Sequence, residues 1–276
     1  MKTNLATLAL AVLVACGPVD TVIPEGVTVR DIRTGKELSP RKAAKADGYY
    51  GVFQQGGQSV SFVRYRPEAF ETTVVTAEGE QADSTGALCL KHNAVAGING
   101  SYFNMEELTP VTLVKDDGFV TGSTTPSETF RTNGAVVLNP ESLRFEACDT
   151  TETFTLDWEA LASGPVLIKD GVPYDYSGQG DFFDRRHPRS LIGQDAEGSV
   201  WMIVVDGRFP GEAEGMSIPE LTALSERFGL TEALNLDGGG SSTLWVLPEG
   251  VLNHPSDNRR FDHEGQRVVP NAIVVK

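Results

Sequence analysis

Toward the C-terminal end the chain reads Asn235-Leu236-Asp237-Gly238-Gly239-Gly240-Ser241-Ser242-Thr243: a buried-type strand running into a carboxylate, three glycines and three hydroxyls. Consecutive glycines lose more backbone entropy on folding than any other tripeptide, so they belong where the chain needs positive φ or lies close against something. Named motifs do not account for the string. A nucleophile elbow needs glycine two places after its serine, and Thr243 stands two after Ser241. A phosphate loop of the Walker type needs lysine, and a dinucleotide fingerprint needs a glycine where Thr243 stands. What remains, beside a plain tight turn, is a nest of backbone amides next to a carboxylate, suited to polyhydroxyl or phosphate groups. Gly238, Gly239, Gly240, Ser241 and Ser242 are the candidate ligand contacts and Asp237 the candidate acid.

A second constellation comes from a hairpin. Ser190 to Asp195 and Ser199 to Val205 read as two strands joined by the turn Ala196-Glu197-Gly198. Pairing Asp195 with Ser199 places Arg189 opposite Val205 and Arg186 near Arg208, within a residue. Arg186-His187-Pro188-Arg189 and Asp206-Gly207-Arg208 then meet at the open end. Arginines, a histidine and an aspartate gathered there either bind an anionic or hydroxylated ligand or pair with one another.

Two helix-then-strand units position the remaining candidates. A helix beginning near Asp83-Ser84 is followed by the strand Ala94 to Ile98 and then by Asn99-Gly100. A second helix has a capping box in Ser217-Ile218-Pro219-Glu220, an apolar face of Ile218, Leu221, Leu224 and Phe228, and a stop at Gly229. The strand Ala233 to Leu236 follows it. Each unit ends in a polar residue and a glycine, which predicts that Asn99-Gly100 and Asp237-Gly238 share one cleft. With the β-rich runs around Val60 to Tyr65 and Thr72 to Val75, the elements predict an α+β fold: a mixed β-sheet core with packed helices, forming a single domain over residues 49–276.

The N-terminus and composition limit location and partners. Met1-Lys2 followed by an apolar run from Leu5 to Val14 fits a signal peptide and is too short to span a bilayer. Leu13-Val14-Ala15-Cys16 resembles a bacterial lipobox, so residues 1–15 are expected to be removed, Cys16 lipidated, and residues 16–48 left as a tether in the cell envelope. Losing Lys2 with the signal takes the net charge from −15 to −16, which argues against nucleic acid as a partner. The membrane partnership runs through lipid on Cys16. Cys89 and Cys148 are left open between a disulfide and two free thiols. The polar stretch from Asn253 to Glu264 contains His254, Asp257, Asp262 and His263, but the spacing matches no ligand template and reads as a solvated loop; no metal and no cofactor is expected.

Several ordered motifs resemble one family. Asn99-Gly100-Ser101-Tyr102-Phe103, Ser163 to Gly171, His187-Pro188-Arg189-Ser190, Val205-Asp206-Gly207-Arg208, Gly215-Met216-Ser217, Asn235 to Thr243 and the closing Arg267 to Ala272 are similar to the successive motifs of phosphodiester glycosidases, over roughly Gly51 to Lys276. The resemblance implies a hydrolase that releases a sugar from a glycosyl phosphodiester, with a carbohydrate or sugar phosphodiester as partner. On chemical grounds, Asp237 would face the anomeric carbon and Asp206 would serve as second acid or base. Arg189 and Arg208, with Arg186 beside them, would clamp phosphate, and His187 would donate or shuttle a proton. Asn99, Gly100, Ser241 and Ser242 would hydrogen-bond the substrate. Two other functions use the same residue types: a non-catalytic glycan-binding surface lipoprotein, and a glycosidase acting on sugars without phosphate.

Overall fold

The strand Val200–Val205 is a run of six apolar residues, all buried, and so must lie between two layers. Trp201, Ile203 and Val205 pack with Leu221 and Leu224 of the helix Ile218–Arg227 and with Phe228, which caps its C-terminal end. Met202 and Val204 point the other way, into a core with Ile98, Leu161 and Ile273 from two further sheets. Strict alternation along one strand thus divides the hydrophobic core in two. The computed structural model describes residues 26–77, 82–139, 142–149 and 152–276.

The central sheet has nine strands. In spatial order they are Val172–Pro173, Val166–Lys169, Leu230–Asn235, Arg189–Asp195, Val200–Val205, Gln58–Tyr65, Gly48–Gln55, Val29–Asp31 and Glu37–Leu38. A five-stranded sheet built on Gly134–Asn139 and Glu159–Ser163, and another built on Ala96–Asn99, Leu244–Val246 and Asn271–Val275, cover its inner face. Strands predominate and helices are few.

The expected mixed sheet is corrected: every strand pair among the described residues is antiparallel. The reason lies in the helix Ile218–Arg227. It joins Val200–Val205 to Leu230–Asn235, and Arg189–Asp195 lies between those two strands, antiparallel to both. A helical connection that would otherwise create a parallel pair therefore steps over one strand. The helix itself begins as expected, with Ser217 Oγ accepting from Glu220 N at 3.3 Å and Glu220 accepting from Ser217 N at 2.9 Å. Gly229, at φ +69°, follows its C-terminal end.

The hairpin also forms in the expected register, with Arg189 opposite Val205 and Asp195 N donating to Ser199 O at 3.0 Å. The tether requires correction in its described part. Val29–Asp31 joins the central sheet beside Gly48–Gln55, and Val29, Ile32 and Ala43 are buried. These strands are two or three residues long and carry isolated apolar positions, too few to establish a period. Cys89 and Cys148 are free thiols. Residues 1–15 and Cys16 lie outside the described residues. Among the described residues, no helix is long and apolar enough to cross a membrane.

Candidate active site

Asp237 stands at a seam between two sheets. Leu236 N donates to Ser190 O at 2.8 Å, continuing the central sheet, and Asp237 N donates to Gly100 O at 3.1 Å, reaching the neighbouring one. Asn99 fastens the seam: its Nδ2 donates to Asp237 O at 2.7 Å, while its Oδ1 accepts from Ser190 Oγ at 2.7 Å and Thr243 N at 3.1 Å. Asn99-Gly100, the arginine-bearing hairpin and the Asp237 loop thus meet at one place. Asn99 is fully buried with both ends of its amide engaged, so the substrate contact expected of it is corrected to a structural role. Gly100 is likewise enclosed, since a Cβ there would come within 3.0 Å of Asn271 O and Leu161 Cδ1.

The Asp237 carboxyl is pushed up to about 6, chiefly by burial. The Ser241 hydroxyl, the Arg131 and Arg267 charges and the Gly238 N–H, which donates to Oδ1 at 2.9 Å, act against that rise. Ser241 Oγ influences the carboxyl while lying outside hydrogen-bonding geometry, and it is buried without a partner among the described residues, as are Ser242 Oγ and Thr243 Oγ1. Unpartnered hydroxyls also occur elsewhere in the core, at Ser61 and Thr85 for example, but here they stand directly after the glycine turn that follows Asp237.

The glycines serve the protein's own packing. Gly239 N donates to Pro188 O at 2.9 Å and Gly238 N is held by Asp237, so neither forms part of an open amide nest. A Cβ on Gly238 would stand 2.7 Å from Pro188 O, and one on Gly239, whose φ is +66°, would stand 2.8 Å from Arg208 Nη2. Gly240 lies against the Arg267 and Asp257 side chains. Close approach does explain the glycines, but the approaching groups are a carbonyl, two guanidinium groups and the Asp257 carboxylate.

Each arginine has a different environment. Arg186 is exposed and bound by Glu214 at 2.9 Å and by both oxygens of Glu220, so its expected place in the ligand site is corrected to a surface ion-pair cluster. Arg189 is buried, and its Nε and Nη2 donate to Met216 O, Phe182 O and Arg185 O at 2.8 to 3.1 Å. Desolvation pulls it down to about 10. It braces the short helix Asp181–Asp184 and its cap Arg185 against Met216, which corrects the expected bidentate clamp. Arg208 differs: at φ +68° it holds an exposed guanidinium beside Gly239 that makes no hydrogen bond or ion pair with a described residue. Partial burial lowers its pKa first, Arg267 adds to that, and Asp257 and Asp237 oppose it.

His187 and Asp206 also differ from expectation. Burial and the charges of Arg189, Arg208 and Arg185 hold His187 below its ordinary value, so the ring is neutral near pH 7 and poorly placed to donate a proton. Asp206 is 1% exposed and accepts four bonds: from Ser59 Oγ at 2.7 Å, Asn253 Nδ2 at 3.1 Å, His254 N at 2.8 Å and His254 Nδ1 at 2.9 Å. A carboxylate so enclosed has no edge left for substrate, which corrects its assignment as second acid or base. Its partners come from residues 59 and 253–254, far away in sequence.

Two cations near Asp237 escaped the sequence reading. Arg131 lies over the Tyr102 ring at 3.8 Å and is paired with Glu128. Arg267 is paired with Asp257 against the glycine turn. Arg131 stands alone in a Thr- and Ser-rich segment with no spacing signal. Arg267 was visible only as part of the closing motif. Among the described residues no three His, Cys, Asp or Glu side chains gather as a metal-ligand set.

A family model described as phosphodiester glycosidase matches residues 92–276. Mouse N-acetylglucosamine-1-phosphodiester alpha-N-acetylglucosaminidase is 28% identical over 178 residues, covering 58% of this chain and 33% of that protein. The chain therefore spans about a third of that relative's length. Among solved structures, the zebrafish N-acetylglucosamine-1-phosphodiester alpha-N-acetylglucosaminidase catalytic domain, auto-inhibited by its pro-peptide, superposes with a TM-score of 0.62 at 16% identity, covering 90% of this chain and 81% of that one. A hypothetical protein from Synechocystis gives 0.58 at 17% identity, covering 83% and 62%. At such identities the two structures establish a shared fold.

Proposed function

The chain belongs to the phosphodiester glycosidase family, and from that premise we propose that it is a hydrolase releasing a sugar from a glycosyl phosphodiester. The observation that carries the reading is the pairing of a desolvated carboxyl with an uncommitted cation. Asp237 is pushed up to about 6, and Arg208 presents, beside the same glycine turn, a guanidinium without an ion-pair partner among the described residues. The two groups divide the task of the reaction. As the bond to the anomeric carbon lengthens, positive charge grows on the sugar ring and negative charge on the departing phosphate. Asp237, ionised above about pH 6, faces the first, and Arg208 offers its fork to the second.

A phosphomonoester leaves readily because its second pKa is near ~6, so strong acid assistance is unnecessary. That fits a site in which His187 is kept neutral and Asp206 is enclosed. The hydroxyls of Ser241 and Ser242 supply hydrogen bonds to sugar or phosphate oxygens. Arg131 and Arg267 add positive potential around the carboxyl.

The proposal includes envelope location through lipid on Cys16, supported by the Leu13-Val14-Ala15-Cys16 sequence. Cys16→Ser should move the protein from the membrane to the soluble fraction. The catalytic reading is tested by incubating the purified protein with sugar 1-phosphodiesters, nucleotide sugars and aryl glycosides. Turnover confined to the phosphate-bearing substrates is expected. Turnover of aryl glycosides alone would leave Arg208 without its assigned role, and binding without turnover would identify a glycan receptor.

A further inference from the structure

We propose that Asp206 and His254 form a carboxylate–imidazole pair in which Asp206 positions the ring and His254 Nε2 accepts the proton of the attacking water. The inference rests on the glycosidase reading above and adds the group that activates water, which that reading leaves unassigned.

The geometry begins with Asp206. One carboxylate oxygen accepts His254 N at 2.8 Å and the other accepts Nδ1 of the same residue at 2.9 Å, so backbone and ring are gripped together. Ser59 Oγ and Asn253 Nδ2 hold the carboxylate itself at 2.7 and 3.1 Å. A carboxylate accepts, so Nδ1 carries the hydrogen and Nε2 is left with its lone pair. The stacked Phe261 ring lies over the imidazole, with centroids 3.7 Å apart and planes within 11°, and His263 sits 4.5 Å away. With Nδ1 engaged and the ring stacked, the 14% of the side chain that remains exposed is assigned to the Nε2 edge. Nε2 has no hydrogen-bond partner among the described residues.

The loop that carries His254 is built onto the wall holding Asp237. Asn253 Nδ2 donates to Ser242 O at 3.0 Å, and Asn253 Oδ1 accepts from Leu244 N at 2.8 Å. Asp257 pairs with Arg267 against Gly240, and Phe261 meets Phe209, the neighbour of Arg208, at 5.2 Å between ring centroids. The ring is therefore anchored to the same turn as the candidate acid and next to the residue that follows the free guanidinium.

The step balances without an external reagent. Water oxygen bonds to the anomeric carbon while the bond from that carbon to the phosphate oxygen breaks, its electron pair leaving with the phosphomonoester. The proton shed by water goes to His254 Nε2, the resulting imidazolium is stabilised by Asp206, and the proton then passes to solvent. General-base assistance of this kind contributes roughly 10²- to 10⁴-fold.

The test combines His254→Ala kinetics with imidazole resonances of the whole protein. On a sugar 1-phosphodiester, His254→Ala should lower kcat by about 100-fold or more with KM changed little, and added imidazole should restore part of the rate. In the wild type, 15N spectra should show His254 protonated on Nδ1, with the Nε2 resonance moving when glucose 1-phosphate is added. Asp206→Asn should change that tautomer balance; because it also disturbs four hydrogen bonds, His254→Gln, which leaves Asp206 intact, serves as the folded control. Wild-type turnover in His254→Ala, or an Nε2 resonance indifferent to glucose 1-phosphate, would overturn the proposal. If the wild type cleaves no sugar phosphodiester, the glycosidase reading falls separately, and the pair is then judged on the resonance alone.

Discussion

Replacing Asp237 with Asn should stabilise the protein at neutral pH while removing its activity. The carboxyl is displaced from the ordinary aspartate value of 3.8 to about 6. A displacement of about two pH units at about 1.4 kcal/mol each corresponds to roughly 3 kcal/mol, an upper bound because the side chain keeps some contact with solvent. Between about pH 4 and 6 the folded protein holds a proton that the unfolded chain has released. Stability contributed by this group therefore falls as pH rises through that window, and the full deficit is present at pH 7. Asn carries no charge and can still accept the Gly238 N–H on Oδ1, so it avoids the deficit. Denaturant unfolding of wild type and Asp237→Asn at pH 7 and pH 4 is the assay. The variant should be more stable at pH 7 by up to ~3 kcal/mol, and the gap should shrink to a small fraction of that by pH 4. A variant less stable at pH 7, or a gap independent of pH, would refute the claim that a desolvated ionised carboxylate is held there.

Two other substitutions test the parts around Asp237. Arg208→Gln removes a guanidinium with no partner among the described residues, so stability should hardly change. kcat/KM on phosphodiesters should fall about ten- to hundredfold, as expected for a charged hydrogen bond of roughly 1.5–3 kcal/mol, with any aryl glycoside rate unaffected. Gly238→Ala puts a Cβ 2.7 Å from the Pro188 carbonyl, and the forced shift should cost about 1–3 kcal/mol in thermal or denaturant unfolding.

What was legible in the sequence was local. The Asp195-to-Ser199 turn fixed the pairing of Arg189 with Val205, because one short connection determines every residue pair beyond it. Ser217 and Glu220 marked the helix start for the same reason. Sheet direction is not legible locally: a helix between two strands ordinarily gives a parallel neighbour, whereas here Arg189–Asp195 occupies the place between them. In the site, Asp206, Arg189 and Asn99 have residue types suited to chemistry, and their commitments come from Ser59 and His254, from the Phe182, Arg185 and Met216 carbonyls, and from Asp237, Ser190 and Thr243. Most of these partners lie far away along the chain, and residue type alone does not reveal whether a polar group has already been satisfied. Asp237 remains the candidate acid because burial raises its carboxyl, and Arg208 the candidate clamp because it has no partner among the described residues.

In the proposed reaction water attacks the sugar carbon and leaves the phosphorus untouched. Hydrolysis of a sugar 1-phosphodiester in 18O-labelled water, followed by 31P NMR of the released phosphomonoester, tests it directly. The released phosphate should be free of the heavy isotope, the label having entered the sugar. Label in the phosphate would mean cleavage of the phosphorus–oxygen bond and would contradict it.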